Sequence, residues 1–393
     1  MTQLIAARVS EVVAPAVAQA MHKAHGLEAQ GAKLTYLLRG EPDFDTPDHV
    51  CQAAMESLRA GDTHYTSTQG VRGLREAVSK RVECDFGMTP DPDEEIMVTT
   101  GATMGIYTAI QAVIGPGDEV IIFDPMYDPY PTVVRLAGGV PIRVRAEESH
   151  GHFSVRKDAI EAKVTQRTKA ILVNNPWNPT GTVMTADELN YLVDLAEAYD
   201  LVLIVDEIYE KITFGGHKHI NLASLSAKAY ARTITINSFS KTYAMTGWRI
   251  GYTVASPSLT RAMRSIAQQF SRSAATFVQH AAIAALTGPQ EHTRRMVKAY
   301  RRRRDLITDS LRQAGFSTFC PPEGTFFILL DVRMFDKGSE KMSDYLMEKA
   351  KVVTIPGNVY GLGGEGFIRL SFAYDEKTIR EGIEAVAACL SGL

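Results

Sequence analysis

A lysine follows an apolar strand pattern and stands close to groups that suit a phosphate. The run TITINS ends at Ser238, Lys241 comes three residues later, and Arg249 eight residues after that. Ligands bind at the carboxyl ends of parallel strands, where a desolvated lysine becomes an amine that can form a Schiff base with an aldehyde. A hydroxyl and a guanidinium both bind phosphate well. Taken alone, Lys241 could equally be a solvated lysine, so the interpretation depends on its neighbours.

Three further polar residues follow apolar strand patterns. LVLIVDEIYE places Asp206 at a strand end and Tyr209 three residues later, and NNPWNPTG holds Asn178 in a rigid turn. A buried carboxylate needs a partner, so Asp206 could pair with a protonated ring nitrogen. Tyr209 and Asn178 could form hydrogen bonds to a phenolate oxygen. The simpler alternatives are a helix N-cap for Asp206 and a purely structural turn for the proline-rich loop.

The stretch TTGATMG places small residues and Thr103 before the apolar helical pattern GIYTAIQAVI. Backbone N–H groups at such a helix start are free to bind a phosphate. The stretch matches neither GxxxxGK[ST] nor GxGxxG, the motifs of two common nucleotide-binding loops. The candidates together offer an amine for an aldehyde, donors for a phosphate, a counter-ion for a ring nitrogen and partners for a phenolate. This combination implies pyridoxal 5'-phosphate.

The elements that must position these residues alternate along the chain. The strand patterns are EIMVTT, DEVIIF, PIRVRA, KAILVNN, LVLIVDE, TITINS and WRIGYTVA. Several are continuous apolar runs, which are typical of strands buried on both faces. Helical patterns lie between them, and the clearest begins with a capping box of Thr185 and Glu188. The sequence therefore predicts an α/β fold with a mostly parallel central sheet covered by helices.

The two ends of the chain have a different pattern. Residues 289–315 predict a long basic helix, and its arginine run is most simply a solvated face. The strand patterns FFILLDV and FIRLSF follow, which indicates a smaller α+β domain. We expect an N-terminal arm and part of the small domain in 1–45, a large cofactor-binding domain in 46–288 and the small C-terminal domain in 289–393.

Composition narrows the class of protein. The chain has 393 residues and a formal net charge of -3, with a pI of about 6.4, which argues against nucleic acid or an anionic membrane as a partner. The four cysteines form no CxxC pair, so a reducing compartment and no metal site are expected. No signal peptide is recognisable, and no apolar run reaches the roughly 18 residues of a membrane span. The expectation is a cytoplasmic protein.

The motifs, taken in order, resemble the class I/II aminotransferases, which are pyridoxal-phosphate enzymes of fold type I. The resemblance is greatest to the subgroup that includes bacterial aspartate aminotransferases. It runs from GEPDFDTP at 40–47 through YTSTQGVRGLREAV, GDEVIIFDPMYDPYP and NPWNPTG, and then through DEIYE and SFSKTYAMTGWRIGY to FIRLSFA. The order of the motifs, more than any single one, makes the resemblance specific.

The resemblance implies a role for each matching residue. Lys241 holds the cofactor as an internal aldimine and moves the substrate proton, and Asp206 and Tyr209 complete the catalytic group. Asn178 shares the ring oxygen with Tyr209, and Tyr127 stacks on the ring. The phosphate cup consists of Gly101, Ala102, Thr103, Ser238 and Arg249. Tyr65 matches a tyrosine that reaches the phosphate of the cofactor bound to a neighbouring subunit, so the resemblance implies a homodimer with shared active sites.

The resemblance also implies which residues bind the substrate, and two positions of this sequence differ from the family pattern. Arg369 and the Gly40 backbone, with Asn178, bind the α-carboxylate end of the substrate. Arg39 stands where a small or apolar residue is usual and where the family faces the substrate side chain. It either binds a second substrate carboxylate or turns to solvent or a nearby acid. Trp177 stands where a small polar residue or histidine is more usual, and it either simply packs or shapes the pocket near the cofactor.

The resulting expectation is a dimeric aminotransferase that moves an amino group from an L-amino acid to a 2-oxo acid. A β-lyase, or an amino-acid oxidase or cyclase, can share this fold and these motifs. A non-enzymatic ligand sensor on the same fold is a further alternative, although the resemblance begins too early in the chain to leave room for a DNA-binding domain. The sequence names neither the amino donor nor the acceptor.

Overall fold

The structure is a computed structural model that describes residues 4–12, 14–149, 151–316 and 319–391. The α-helices of this part are α1 (Ala16–Glu28), α2 (Asp48–Arg59), α3 (Arg72–Phe86), α4 (Ala102–Val113), α5 (Pro129–Leu136), α6 (Lys157–Glu161), α7 (Ala186–Ala198), α8 (Ala227–Arg232), α9 (Phe239–Thr242), α10 (Pro257–Phe270), α11 (Thr276–Thr287), α12 (Glu291–Gln313), α13 (Ser339–Tyr345) and α14 (Glu376–Leu390). The strands are β1 (Thr35–Tyr36), β2 (Ile96–Thr99), β3 (Glu119–Asp124), β4 (Val140–Arg145), β5 (Glu147–Ser149), β6 (His152–Ser154), β7 (Thr168–Asn174), β8 (Val202–Asp206), β9 (Thr233–Ser238), β10 (Gly251–Val254), β11 (Phe319–Cys320), β12 (Phe327–Asp331), β13 (Val352–Val353), β14 (Ile355–Pro356) and β15 (Phe367–Ser371).

The centre of the molecule is a seven-stranded sheet with the order β2-β10-β9-β8-β7-β3-β4. β4, β3, β7, β8 and β9 pair in parallel, and β10 pairs antiparallel with both β9 and β2. Six strands therefore run in one direction and β10 runs against them. Each of the seven strand patterns in the sequence overlaps one of these strands, so the predicted α/β fold with a mostly parallel sheet is confirmed.

β3 and β8 are apolar except at their ends, which is typical of strands that helices cover on both faces. Side chains along a strand point alternately to opposite faces. Ile121 and Leu203 accordingly pack in one apolar cluster, whereas their chain neighbours Ile122 and Ile204 pack in another on the opposite face. All four are fully buried or 1% exposed. A strand buried in this way needs no polar alternation, which explains the continuous apolar runs.

Helix boundaries follow local sequence signals, with one departure. The capping box before α7 is present: Thr185 accepts from the Glu188 backbone N–H, and Glu188 accepts from the Thr185 backbone N–H at 2.8 Å. The long basic pattern forms α12, but its arginine run is not a solvated face throughout. Arg303 is 9% exposed and its Nη1 lies 2.7 Å from Asp43 Oδ1, a partner that the local pattern does not indicate.

A second, four-stranded sheet has the order β11-β12-β15-β14 and is antiparallel. The patterns FFILLDV and FIRLSF supply its central strands β12 and β15. The early strand β1 pairs in parallel with β13 of the C-terminal region, so the beginning of the chain packs against its end. The domain boundaries themselves stay a prediction. Within the described residues, no helix is both long and apolar enough to cross a membrane.

Candidate active site

A cavity of about 750 Å³ lies where three neighbouring parallel strands end. The last residues of β7, β8 and β9, which are Asn174, Asp206 and Ser238, all line it. Most of the residues singled out in the sequence lie in its wall. These are Arg39, Gly40, Ala102, Thr103, Tyr127, Asn178, Asp206, Tyr209, Ser238, Lys241, Arg249 and Arg369.

Lys241 follows β9 directly, in the short helix α9, and its amine is held inside the cavity. Nζ donates a hydrogen bond to the Gly40 carbonyl oxygen at 2.5 Å. It also lies 5.9 Å from the ring centre of Tyr209 and 5.8 Å from that of Phe326. Burial lowers the pKa of Lys241 to about 8, against the attraction of Glu41 and Asp206. The amine therefore loses its proton much closer to neutral pH than a solvated lysine does.

The Asp206 carboxylate is 3% exposed and has a donor on each oxygen. Tyr130 Oη donates to Oδ2 at 2.7 Å, and the Ile208 backbone N–H donates to Oδ1 at 3.2 Å. Burial raises the pKa of Asp206 to about 6, and the Tyr130 hydrogen bond opposes that rise. Tyr130 is not among the site residues predicted from the sequence. The only sequence feature that could have indicated it is that DPMYDPYP contains a second tyrosine.

An anion-binding cradle lies at the start of α4. Gly101 is its N-cap with φ +80°, and a Cβ at this position would come within 2.7 Å of Arg249 Nη2. Ser238 Oγ accepts from the Ser240 backbone N–H at 3.1 Å. Free N–H groups at a helix start, two hydroxyls and a guanidinium match the oxygens of a phosphate ester. The residues present therefore fit the phosphate of pyridoxal 5'-phosphate. Ser240, which also lines the cavity, is absent from the sequence interpretation.

Arg369 is a buried cation without an anionic partner. It is 3% exposed, and no carboxylate of the described residues lies within ion-pair distance of it. Nη1 donates to Asn178 Oδ1 at 3.2 Å and Nη2 to the Leu38 carbonyl at 3.3 Å, and the guanidinium lies 4.0 Å from the ring centre of Phe327. Nε has no hydrogen-bond partner in the described part of the chain. A buried, unpaired guanidinium favours a carboxylate ligand in the cavity.

Two tyrosines complete the polar wall of the cavity. Tyr209 is 2% exposed and packs edge-on against Phe326, with 5.5 Å between ring centres. Burial raises the pKa of Tyr209 well above its ordinary value, so its hydroxyl keeps its proton and can donate. Tyr127 packs edge-on against Tyr130 at 5.3 Å, and burial raises its pKa to about 12.

Arg39 lines the cavity and stacks on Tyr374, with its guanidinium carbon 4.8 Å from the ring centre. The two acids closest to Arg39 in the sequence, Glu41 and Asp43, have other partners. Glu41 accepts from Thr246 Oγ1 at 2.8 Å, and Asp43 pairs with Arg303. Among the described residues, Arg39 has no ion-pair partner, and its role in substrate binding stays a prediction.

Trp177 and Tyr65, like Gly101, are not among the residues that line this cavity. Trp177 is 3% exposed, donates from Nε1 to the Pro125 carbonyl at 2.8 Å and packs 6.1 Å from the Phe123 ring, so it belongs to the interior. Tyr65 is 85% exposed, and the Arg272 guanidinium lies 5.0 Å from its ring centre. Its predicted reach to a neighbouring subunit concerns a second chain and stays a prediction.

The structure also brings together one group of side chains with the chemistry of metal ligands. Possible ligand atoms of Glu207, Glu210 and His219 lie within 4.8 Å of one another. Glu207 is already satisfied, because it accepts from Asn221 Nδ2 at 2.6 Å and from the Leu222 backbone N–H at 3.2 Å. We assign no ion to this group, and the expectation that the protein has no metal site stays a prediction.

Comparison with known proteins gives consistent matches along almost the whole chain. The family model described as aminotransferase class I and II matches residues 32–386. An aspartate aminotransferase of Geobacillus stearothermophilus is 37% identical over 97% of this chain and 98% of its own. An aromatic-amino-acid aminotransferase of Thermococcus litoralis is 36% identical over 89% of this chain and 90% of its own.

Solved structures agree with these matches. The aspartate aminotransferase of Thermus thermophilus with maleate superimposes with a TM-score of 0.92 at 36% identity, covering 99% of this chain and 100% of its own. The names of these relatives differ in the amino acid that they specify, so the likeness is stronger for the type of reaction than for the substrate.

Proposed function

The chain belongs to the class I and II aminotransferases and is a pyridoxal 5'-phosphate-dependent aminotransferase, and we propose that its reaction takes place in the cavity around Lys241. When bound, the cofactor supplies an aldehyde that receives the amino group and a ring that takes up electrons from the substrate α-carbon. The observation that carries the proposal is that one cavity combines an anion-binding cradle with a lysine of lowered pKa and the buried Arg369. Among the described residues, Arg369 has no carboxylate partner.

The cradle and the polar wall would hold the cofactor. Gly101, Ala102, Thr103, Ser238 and Arg249 would bind its phosphate, and Ser240 adds a hydroxyl beside them. Tyr127 would stack on the ring, and Tyr209 and Asn178 would bind the ring oxygen. Asp206 would keep the ring nitrogen protonated, because a carboxylate favours a nearby positive charge.

Lys241 would move the proton of the reaction. Neutral Nζ is a base, and the lowered pKa of Lys241 makes this form available near neutral pH. Its hydrogen bond to the Gly40 carbonyl holds the amine beside the loop that carries Arg39. Arg369 would bind the substrate α-carboxylate through a bidentate contact and so orient the α-carbon toward Nζ.

The substrates of this type of enzyme are amino acids and 2-oxo acids, and we propose a dicarboxylic amino acid as donor. The support is Arg39, a cavity-lining guanidinium without an ion-pair partner in the described structure. It is adjacent to Gly40, whose carbonyl accepts from Lys241, so the side chain starts close to the reacting amine. Several relatives are named for aspartate, and one related structure contains maleate, a dicarboxylate.

We further propose a cytoplasmic homodimer with shared active sites. Tyr65 is 85% exposed in the single chain although it is a large aromatic residue, and Leu4 and Ile5 are 97% and 64% exposed. Our proposal is that the dimer covers these side chains, because large contiguous apolar surfaces mark interaction sites. Cys51, Cys84 and Cys389 form no disulfide, which is typical of a reducing compartment.

The deciding experiment traps the cofactor on the protein. Borohydride treatment of the cofactor-loaded protein should fix the cofactor on a peptide that contains Lys241, and peptide mass spectrometry locates it. The variant Lys241→Ala should still bind the cofactor through the intact cradle but lose amino transfer. Fixation on any other lysine of the parent protein would overturn the assignment.

A further inference from the structure

Tyr130 lies beside Asp206, in the first turn of α5, and lines the same cavity. Its side chain is 2% exposed, and Oη donates to Asp206 Oδ2 at 2.7 Å. The Ile208 backbone N–H donates a hydrogen bond to Asp206 Oδ1 at 3.2 Å. Asn174 Nδ2 donates to the Asp206 backbone carbonyl at 3.0 Å. The carboxylate therefore cannot rotate without breaking its hydrogen bond to Tyr130 or to the Ile208 backbone.

The direction of this hydrogen bond is fixed. Burial, together with the Asp206 charge, raises the pKa of Tyr130 well above its ordinary value, so the hydroxyl keeps its proton and donates. A donated hydrogen bond favours an ionised carboxylate, whereas burial favours a neutral one. The burial effect raises the pKa of Asp206 to about 6, and the Tyr130 bond opposes it.

We propose that Tyr130 is a positioning residue that holds Asp206 as an oriented carboxylate against the cost of burying that charge. The inference rests on the proposed function, in which Asp206 keeps the cofactor ring nitrogen protonated. Other titratable groups also act on Asp206 from the elements packed around it. These are Tyr127 beside α5, Glu207 and Tyr209 after β8, and Lys241 in α9.

Tyr130→Phe tests the proposal because it removes one oxygen and keeps the ring that packs against Tyr127. The protein is loaded with pyridoxal 5'-phosphate carrying an isotopically labelled ring nitrogen, and the nitrogen chemical shift is followed by NMR against pH. In the variant, the ring nitrogen should lose its proton about one pH unit or more below the parent, roughly the effect of one hydrogen bond to a charged group. We expect turnover to fall about tenfold or more, with a smaller change in cofactor affinity.

Two control variants test whether the shift of the ring-nitrogen midpoint comes from Tyr130 acting through Asp206 or from the loss of any tyrosine hydroxyl. Tyr230→Phe removes a hydroxyl from α8, which leads into the amino end of β9, away from the cavity. It should give the parent titration. Tyr130→Phe introduced into Asp206→Asn should cause no further shift of the ring-nitrogen midpoint, because Tyr130 acts through the carboxylate. Circular dichroism at each pH establishes that the variants are folded.

The result that overturns the inference is an unchanged midpoint in Tyr130→Phe together with a lowered midpoint in Asp206→Asn. That outcome leaves the proposed function intact. An unchanged midpoint in both variants would instead remove Asp206 from its role at the ring nitrogen, and the inference about Tyr130 would fail with it. An additional shift in the double variant would also contradict action through Asp206.

Discussion

At the scale of single residues, burial shifts the pKa values of the two reactive groups at the centre of the site. Lys241 and Asp206 have opposite charges and their pKa values move toward each other, to about 8 and about 6. Desolvation is the largest cause of both shifts, because it disfavours the charged form of either group. As a result, Lys241 is available as a neutral base near neutral pH. Asp206 depends on hydrogen-bond donors such as Tyr130 to favour its ionised form.

The lowered pKa of Lys241 can be measured without the cofactor. Only the neutral amine reacts with an acylating reagent, so reactivity rises with pH through the pKa. We expect half-maximal labelling of Lys241 near pH 8 in the cofactor-free protein, below the ordinary lysine value of 10.5. Mass spectrometry of the Lys241 peptide gives the rate, and a short lysine peptide provides the reference. A midpoint equal to that of the peptide would contradict the effect of burial.

Arg39 should determine the preference for an acidic substrate. A charge-assisted contact in a desolvated pocket contributes roughly 1.5–3 kcal/mol, which is a preference of about tenfold to a hundredfold. We expect Arg39→Ala to lose this factor in kcat/KM for glutamate and aspartate. Glutamine, alanine and phenylalanine are the matched controls and should change little. An equal loss on acidic and neutral substrates would show that Arg39 does not bind the distal carboxylate.

At the scale of elements, the parallel sheet brings residues of the site together at the carboxyl ends of its strands. Asn174, Asp206 and Ser238 end three adjacent strands and line one cavity. Because side chains alternate along a strand, the residue after Asp206 points elsewhere, and Glu207 binds Asn221 and the Leu222 backbone instead. Neighbouring acids in the same motif therefore have different roles, one at the cavity and one in the packing of the next segment.

The start of α4 should tolerate no side chain at Gly101. An added Cβ would lie 2.7 Å from Arg249 Nη2, and the φ of +80° disfavours other residues. We expect Gly101→Ala to lower stability by about 1–3 kcal/mol. It should also weaken cofactor binding, because the Arg249 guanidinium must move. Thermal unfolding and cofactor titration measure the two effects.

Gly61→Ala is the matched control for Gly101→Ala. Gly61 has φ +85°, and a Cβ there would have no atom within 4 Å. It should lower stability through its positive φ alone and leave cofactor affinity unchanged. Equal cofactor affinity in both variants would mean that the close approach between Gly101 and Arg249 is not needed for binding.

At the scale of the whole molecule, the cavity is lined by residues from parts of the chain that are far apart in sequence. Arg39 and Gly40 come from the N-terminal region, Asp206 and Lys241 from the central sheet, and Arg369 from the C-terminal sheet. The Arg369–Asn178 hydrogen bond joins residues 191 positions apart. The site can therefore form only when both sheets are folded and packed together.

A shared active site should allow two inactive chains to complement each other. If Tyr65 reaches the partner's cofactor, one site of a mixed dimer of Lys241→Ala and Tyr65→Ala chains is intact. We expect activity to return when the two variants are unfolded and refolded together, provided that Tyr65→Ala alone is severely impaired. Each variant refolded alone is the control. Persistent inactivity in mixed dimers that native mass spectrometry has verified would count against a shared site.

The sequence by itself determined the elements and the type of protein. Strand patterns depend on the local alternation and run length of apolar residues, and the capping box lies within four consecutive residues, so both can be identified without the fold. The motifs around Lys241, Asp206 and Asn178 indicated the cofactor because their residue types match its chemical groups. The family, the reaction type and the α/β fold agree with the comparisons.

Only the tertiary structure decided which side chains meet. Tyr130 and Asp206 are 76 positions apart, and no local pattern relates the two residues. The same holds for Arg303, whose partner Asp43 lies in the loop after Gly40, and for Trp177, which packs in the interior instead of lining the cavity. The order of the strands and the crossing of chain segments set these contacts. They arise from packing between distant segments, whereas sequence patterns report mainly the burial and conformation of each segment.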